Sequence, residues 1–100
     1  MRVTFLTPAA EELDDAFEYY QSEMDGLGYK FQQAIHQSIS RIVHFPTSYQ
    51  KIGKHSRRCL AHRFPYSVVY VFNEDSQEML VLVIIAHLHR NPDYWLSREG

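Results

Sequence analysis

The densest concentration of reactive side chains lies near the end of the chain, where His87-Leu88-His89-Arg90-Asn91-Pro92-Asp93-Tyr94-Trp95 follows the apolar run Met79-Leu80-Val81-Leu82-Val83-Ile84-Ile85-Ala86. Such a run reads as a strand buried on both faces. The exit of a rigid strand is where a sheet presents chemistry to solvent. His87 and His89 would share one face of an extended strand, a spacing that could hold a metal. No third ligand stands nearby and Cys59 is the sole cysteine, so neither a metal nor a cofactor is expected. Acid–base chemistry fits these residue types better. Such chemistry needs a proton acceptor, a proton donor and cations on the developing negative charge, and His87, Tyr94, Arg90 and Arg57 could supply them. The plainer alternative is structural: His87 closes the strand end through hydrogen bonds, Arg90 ties down the tail, and Tyr94 and Trp95 dock it.

A second group of cations precedes this one. Arg57, Arg58 and Arg63 fall on a strand expected over residues 57–64, where alternation sends Arg57 and Arg63 to one face and Arg58 to the other. Guanidinium forks suit phosphates and carboxylates, so these arginines are candidate partner-binding residues, together with Tyr94 and Trp95. Solubility of an open sheet face is the competing explanation. The charge is also unevenly distributed. Glu11, Glu12, Asp14, Asp15, Glu18, Glu23 and Asp25 crowd the first half, whereas most of the lysine, arginine and histidine lies after residue 50, for a formal net charge of -2. Such polarity can steer a charged partner or merely mark a solvated helix beside a basic sheet.

Elements must hold these groups in place. Residues 2–6 alternate like a short strand. Thr7 and Pro8 read as N-cap and first residue of a helix, carrying Ala9, Leu13, Ala16, Phe17, Tyr20 and Met24 at helical spacing. Asp25-Gly26-Leu27-Gly28 breaks it. A second helix carries Phe31, Ala34, Ile35, Ser38, Ile39, Ile42 and Phe45 and stops at Pro46, giving an antiparallel helical hairpin. Residues 46–56 read as a polar loop. Strands are expected over 57–64, 66–73 and 79–87, with Pro65 in a tight bend and 73–78 forming a turn. The order β-α-α-β-β-β makes an α+β fold, a helical hairpin packed on one mainly antiparallel sheet. At 100 residues the chain reads as a single domain over 1–100, able to bury roughly 65% of its unfolded surface. Cys59 is expected as a small buried apolar residue. The single cysteine, the lack of a signal-peptide pattern and the lack of any membrane-length apolar run suggest a cytoplasmic protein with no membrane partner.

Several motifs resemble the RelE/ParE toxin superfamily: Ala10-x-x-Leu13-x-x-Ala16-x-x-Tyr19-Tyr20, Leu27-Gly28-x-x-Phe31, Ile42-x-x-Phe45-Pro46, Arg57-Arg58, Phe64-Pro65-Tyr66-x-x-x-Tyr70, and Ala86-His87-x-x-Arg90-x-Pro92-x-Tyr94-Trp95-x-x-Arg98. They run in order over nearly the whole chain and are more similar to the ParE-type branch, which includes plasmid-stabilisation proteins. The resemblance implies the growth-inhibiting toxin of a type II toxin–antitoxin system, held in a hetero-oligomer by a cognate antitoxin. A ParE-like toxin would act on DNA gyrase and would need no catalytic set. The alternative, a RelE-like toxin, would be a ribosome-dependent messenger RNA endoribonuclease using Arg57, His87, Arg90 and Tyr94.

Overall fold

The computed structural model describes residues 1–86 and 94–99. Strand β1 (Arg2–Phe5) leads into helix α1 (Thr7–Glu23) and helix α2 (Leu27–His44). Four strands follow, β2 (Gln50–Lys51), β3 (Arg57–Leu60), β4 (Tyr66–Asn73) and β5 (Glu78–Ala86), before a single 3-10 turn at Leu96–Glu99. The strands form one sheet in the order β1-β5-β4-β3-β2, antiparallel except for the parallel β1–β5 pair. The α+β arrangement expected from the residue pattern is the one observed. The central β4 and β5 carry the longest apolar runs, as strands covered on both faces must.

Helix α2 follows its sequence period closely: Phe31, Ala34, Ile35, Ser38 and Ile42 are buried, and His44 is its last residue before Phe45-Pro46. Proline disfavours helical geometry in the residue before it, which ends the helix there. Two apolar positions in the expected stripes lie outside the core, Met24 at 55% exposure and Phe45 at 62%, because each stands at a helix end past the last turn that meets the sheet. Thr7 is not the N-cap of α1. Leu6 occupies that position without a side-chain cap, and Pro8 lies within the first turn. The hairpin link is shorter than expected, since Gly28 belongs to α2 and only Gly26 adopts the left-handed conformation, at φ 88°. Gln21 of α1 caps the next helix across this link. Its side-chain oxygen accepts from the backbone N–H of Gly26 at 3.2 Å and of Gly28 at 3.1 Å, two donors that the start of a helix otherwise leaves unpaired. The helices touch at Gly28, where a Cβ would stand 2.7 Å from the Phe17 carbonyl oxygen.

Where the helices meet the sheet, Tyr20, Phe31, Phe64 and Tyr66 form an aromatic cluster with ring centroids 4.9–6.2 Å apart, largely in the edge-to-face geometry that ring quadrupoles favour. Phe64 and Tyr66 of the Phe64-Pro65-Tyr66 motif are therefore half-buried against the core, with Pro65 exposed between them. The bend is tight: Tyr66 N–H donates to the Phe64 carbonyl at 2.8 Å, and Ala61 N–H to the Tyr66 carbonyl at 2.9 Å.

The opposite sheet face has its own apolar cluster of Val69, Leu82, Val83, Ile85 and Trp95. A β-bulge explains how one strand serves both. Val69 pairs with Val83 but Tyr70 pairs with Val81, leaving Leu82 as the extra residue. The bulge reverses the side-chain parity. Met79 and Val81 before it, and Ile84 after it, thus face the helices, while Leu82, Val83 and Ile85 face away.

Candidate functional site

The three arginines of the basic segment occupy three different environments. Arg57 lies opposite Tyr70 in the β3–β4 register, and Arg58 opposite Val69. The Arg57 guanidinium donates to the Tyr49 carbonyl at 2.8 Å and lines a groove of about 470 Å³ with Lys51, His55 and Glu74. Arg58 reaches the side-chain oxygen of Gln50 at 3.1 Å, bracing the two-residue edge strand β2, a strand inside what the residue pattern presents as loop. Arg63 is not on the strand. β3 ends at Leu60, and Arg63 sits in the 61–66 bend with a left-handed φ of 71°. The proline-containing bend ends the ladder four residues earlier than alternation alone suggests.

This bend and α2 frame two adjoining grooves. The larger, about 790 Å³, is lined by residues that include Lys30, Gln37, His62, Arg63 and Phe64. The smaller, about 350 Å³, includes Arg41, Tyr49, Arg58, Leu60 and His62. His62 belongs to both, and among the described residues lining them there is no carboxylate. Leu60 and Phe64 supply an apolar floor beside the cations, Leu60 being 51% exposed. Arg41 also has a structural role, donating to Ser38 Oγ and the Leu60 carbonyl, both at 3.1 Å. Sequence reasoning found Arg58 and Arg63 here but missed Lys30, Arg41 and His62. For Lys30 and Arg41 the signal available was their position on the α2 face adjoining the apolar stripe, whereas His62 lies in the 61–66 bend, where no periodicity marks it.

The proposed acid–base set is not assembled among its described members. Arg57 on β3 and the β5 end beside Tyr94 are two strands apart, about 10 Å of sheet. Their heads hold different partners, Arg57 the Tyr49 carbonyl and Tyr94 the Glu12 carboxylate on α1. His87 and Arg90 lie outside the described residues. The Tyr94 hydroxyl donates to Glu12 Oε2 at 3.0 Å. Burial first, and that hydrogen bond second, push its pKa up to about 12. Such a phenol stays protonated at neutral pH and holds its proton for Glu12. Tyr70 is likewise pushed up to about 12, chiefly by burial, while its hydroxyl donates to the Pro46 carbonyl at 2.7 Å. Both folded values exceed the ordinary tyrosine value of 10.0. The stability they contribute is complete below pH 10 and is lost as pH rises toward 12. Burial also raises Tyr20 and Tyr66, so alkaline titration followed by tyrosinate absorbance is expected to show four late-ionising phenols, Tyr70 and Tyr94 the latest, that become ordinary once urea unfolds the chain.

Trp95, at 4% exposure, is seated in the second cluster. The expectation that it docks the tail holds; as a partner-binding candidate it offers little free surface. Beside it, Glu12 gathers the end of the fold. Its carboxylate accepts from Ile84 N–H at 3.1 Å, from Tyr94, and from Arg98 at 3.1 Å to each oxygen. Arg98 also donates to the Leu82 carbonyl at 3.0 Å. β1 ends its pairing with β5 at Val81, whose carbonyl accepts from Leu6 N–H, so these side chains cover the strand edge where a backbone partner stops.

The sequence matches the family described as "ParE toxin of type II toxin-antitoxin system, parDE" over residues 3–93. The chain belongs to the ParE toxin family. Its fold is similar to a solved structure titled "Chromosomal ParDE TA system from P. aeruginosa", with a TM-score of 0.62 and 16% identity, covering 86% of this chain and 95% of that one. No curated protein matches the sequence significantly. Within this ParE-family chain, Cys59 is a buried, unpaired thiol at 1% exposure. Among the described residues no group of His, Cys, Asp and Glu is placed to hold a metal, and no helix is long and apolar enough to cross a membrane.

Proposed function

We propose that this ParE-family toxin acts as a binding inhibitor of DNA gyrase, neutralised by a cognate antitoxin whose acidic, amphipathic segment lies in the carboxylate-free grooves beside α2. The observation that carries the reading is the family match over residues 3–93. The separation of Arg57 from Tyr94 supports it, because a binding inhibitor needs neither an acid nor a base. Charge supports the antitoxin assignment: Lys30, Arg41, Arg58 and Arg63 line grooves without an opposing acid among the described residues, and apolar anchors beside cations suit an amphipathic helix laid in a groove.

The test adds purified protein to gyrase, ATP and relaxed plasmid, reading supercoiling and cut DNA together. Lost supercoiling with accumulated breaks is the expected outcome, reversed by adding antitoxin. The paired change Arg58→Glu and Arg63→Glu is expected to leave inhibition near wild type while weakening antitoxin rescue at least 10-fold, as opposed rim charges do. Intact supercoiling beside continued growth arrest would instead direct attention to messenger RNA cleavage.

A further inference from the structure

Residues 94–99 cross the sheet face that the helices leave open, and side chains anchor them at two places. At one end, Arg98 is held by Glu12 and the Leu82 carbonyl, and Tyr94 by Glu12. At the other, the Glu99 carboxylate accepts from the His55 N–H at 2.9 Å and from the Ser56 hydroxyl. Between them, Trp95 is sunk among Val69, Leu82, Val83 and Ile85. The segment itself is a single 3-10 turn closed by an internal hydrogen bond from Arg98 N–H to the Trp95 carbonyl at 2.8 Å, with Leu96 42% exposed. Among its described residues only Trp95 is buried, so the segment rests on side-chain contacts beside the multi-strand ladder below, and segments attached in this way open before the fold does.

We propose that residues 94–99 form a detachable strap, latched by Glu12 at one end and by Glu99 at the other, that lifts off the intact sheet and helical hairpin as a unit. Lifting bares the apolar strip under Trp95. It also frees the Leu82 carbonyl at the β5 edge, a backbone acceptor that an added strand could pair with, while Glu12 on α1 stays on the Ile84 N–H. The strap thus guards the open sheet face and a strand edge with one movement. Gly53 fits this function because it makes room at the second latch: a Cβ there would stand 2.6 Å from Glu99 Oε2 and 3.3 Å from the Trp95 ring.

Trp95 is the chain's only tryptophan, so its fluorescence reports the strap while far-UV circular dichroism reports the rest. In a urea titration, the fluorescence transition is expected to precede the dichroism transition. Glu12→Gln, which keeps an acceptor for Ile84 but removes the charge opposite Arg98, is expected to raise acrylamide quenching of Trp95 several-fold with the dichroism spectrum unchanged. Gly53→Ala is expected to do the same from the other latch. Superimposed transitions in the wild-type protein and in both variants would overturn the proposal. Should neither variant fold, the two wild-type transitions decide the matter alone.

Discussion

Replacing Phe31 by alanine is expected to destabilise the fold by about 3–5 kcal/mol, the range for removing a large aromatic from a core that cannot collapse around the gap. Phe31 is fully buried on the second turn of α2, with ring centroids 5.2 Å from Tyr20, 5.4 Å from Phe64 and 4.9 Å from Tyr66. Those three rings belong to α1, to the 61–66 bend and to β4, so the cavity would open where both helices meet the sheet. None of the three can move into it alone without leaving its own partners. For a domain whose total stability is of order 5–15 kcal/mol, the change removes a large share. Urea titration is the check, with the midpoint expected to fall by about 1 M or more and the slope unchanged. A loss below about 1 kcal/mol would mean that the hairpin is not seated on the sheet through these rings. Phe64 also lines the larger groove, so a folded Phe31→Ala protein should bind antitoxin more weakly even though Phe31 itself is out of reach.

Glu12→Ala is the second large effect, about 2–3 kcal/mol. The carboxylate satisfies a backbone donor, a phenol and a guanidinium at once, with 23% of the Glu12 side chain and 18% of that of Arg98 exposed. An exposed ion pair of this type would contribute little, and partial exposure here does reduce the Coulomb part. The share felt by the fold as a whole comes from the Ile84 N–H, which loses its acceptor beside a buried strand, whereas the bonds to Tyr94 and Arg98 hold the strap. Thermal unfolding should show a fall of about 4–8 °C per kcal/mol for a domain of this size. Glu12→Gln should recover part of it by keeping an acceptor for Ile84. Equal losses in the two variants would place the effect in the charge and not in the hydrogen bonds.

Much of the architecture was written in short-range patterns. The spacing of Phe31, Ala34, Ile35, Ser38 and Ile42 determines α2 and its buried face, because side chains three and four apart lie together on a helix whatever surrounds it. The run from Met79 to Ala86 determines a strand covered on both sides, and Cys59 was recognisable as core. Trp95 was legible as a tail anchor, and Arg58 as a strand residue. Short-range patterns failed at Arg63. Alternation along a presumed strand assigned it a face, but the bend at 61–66 takes it out of the ladder altogether.

Only the tertiary structure decided the rest. The parallel pairing of β1 with β5 joins segments at opposite ends of the chain. The bulge at Leu82 depends on the register with β4 and reverses which residues of β5 meet the helices. Lys30, Arg41, Arg58, His62 and Arg63 become a basic surface only when α2 lies against β3 and the bend. Glu12 looks like one more acid on a solvated helix face until it is found 72 residues from Ile84 and 86 from Arg98 in sequence, yet in hydrogen-bond contact with both. Helical and strand periodicities describe neighbours a few positions apart. A carboxylate whose partners are brought together by chain folding leaves no such period, so its role becomes visible only once the sheet edge it covers has formed.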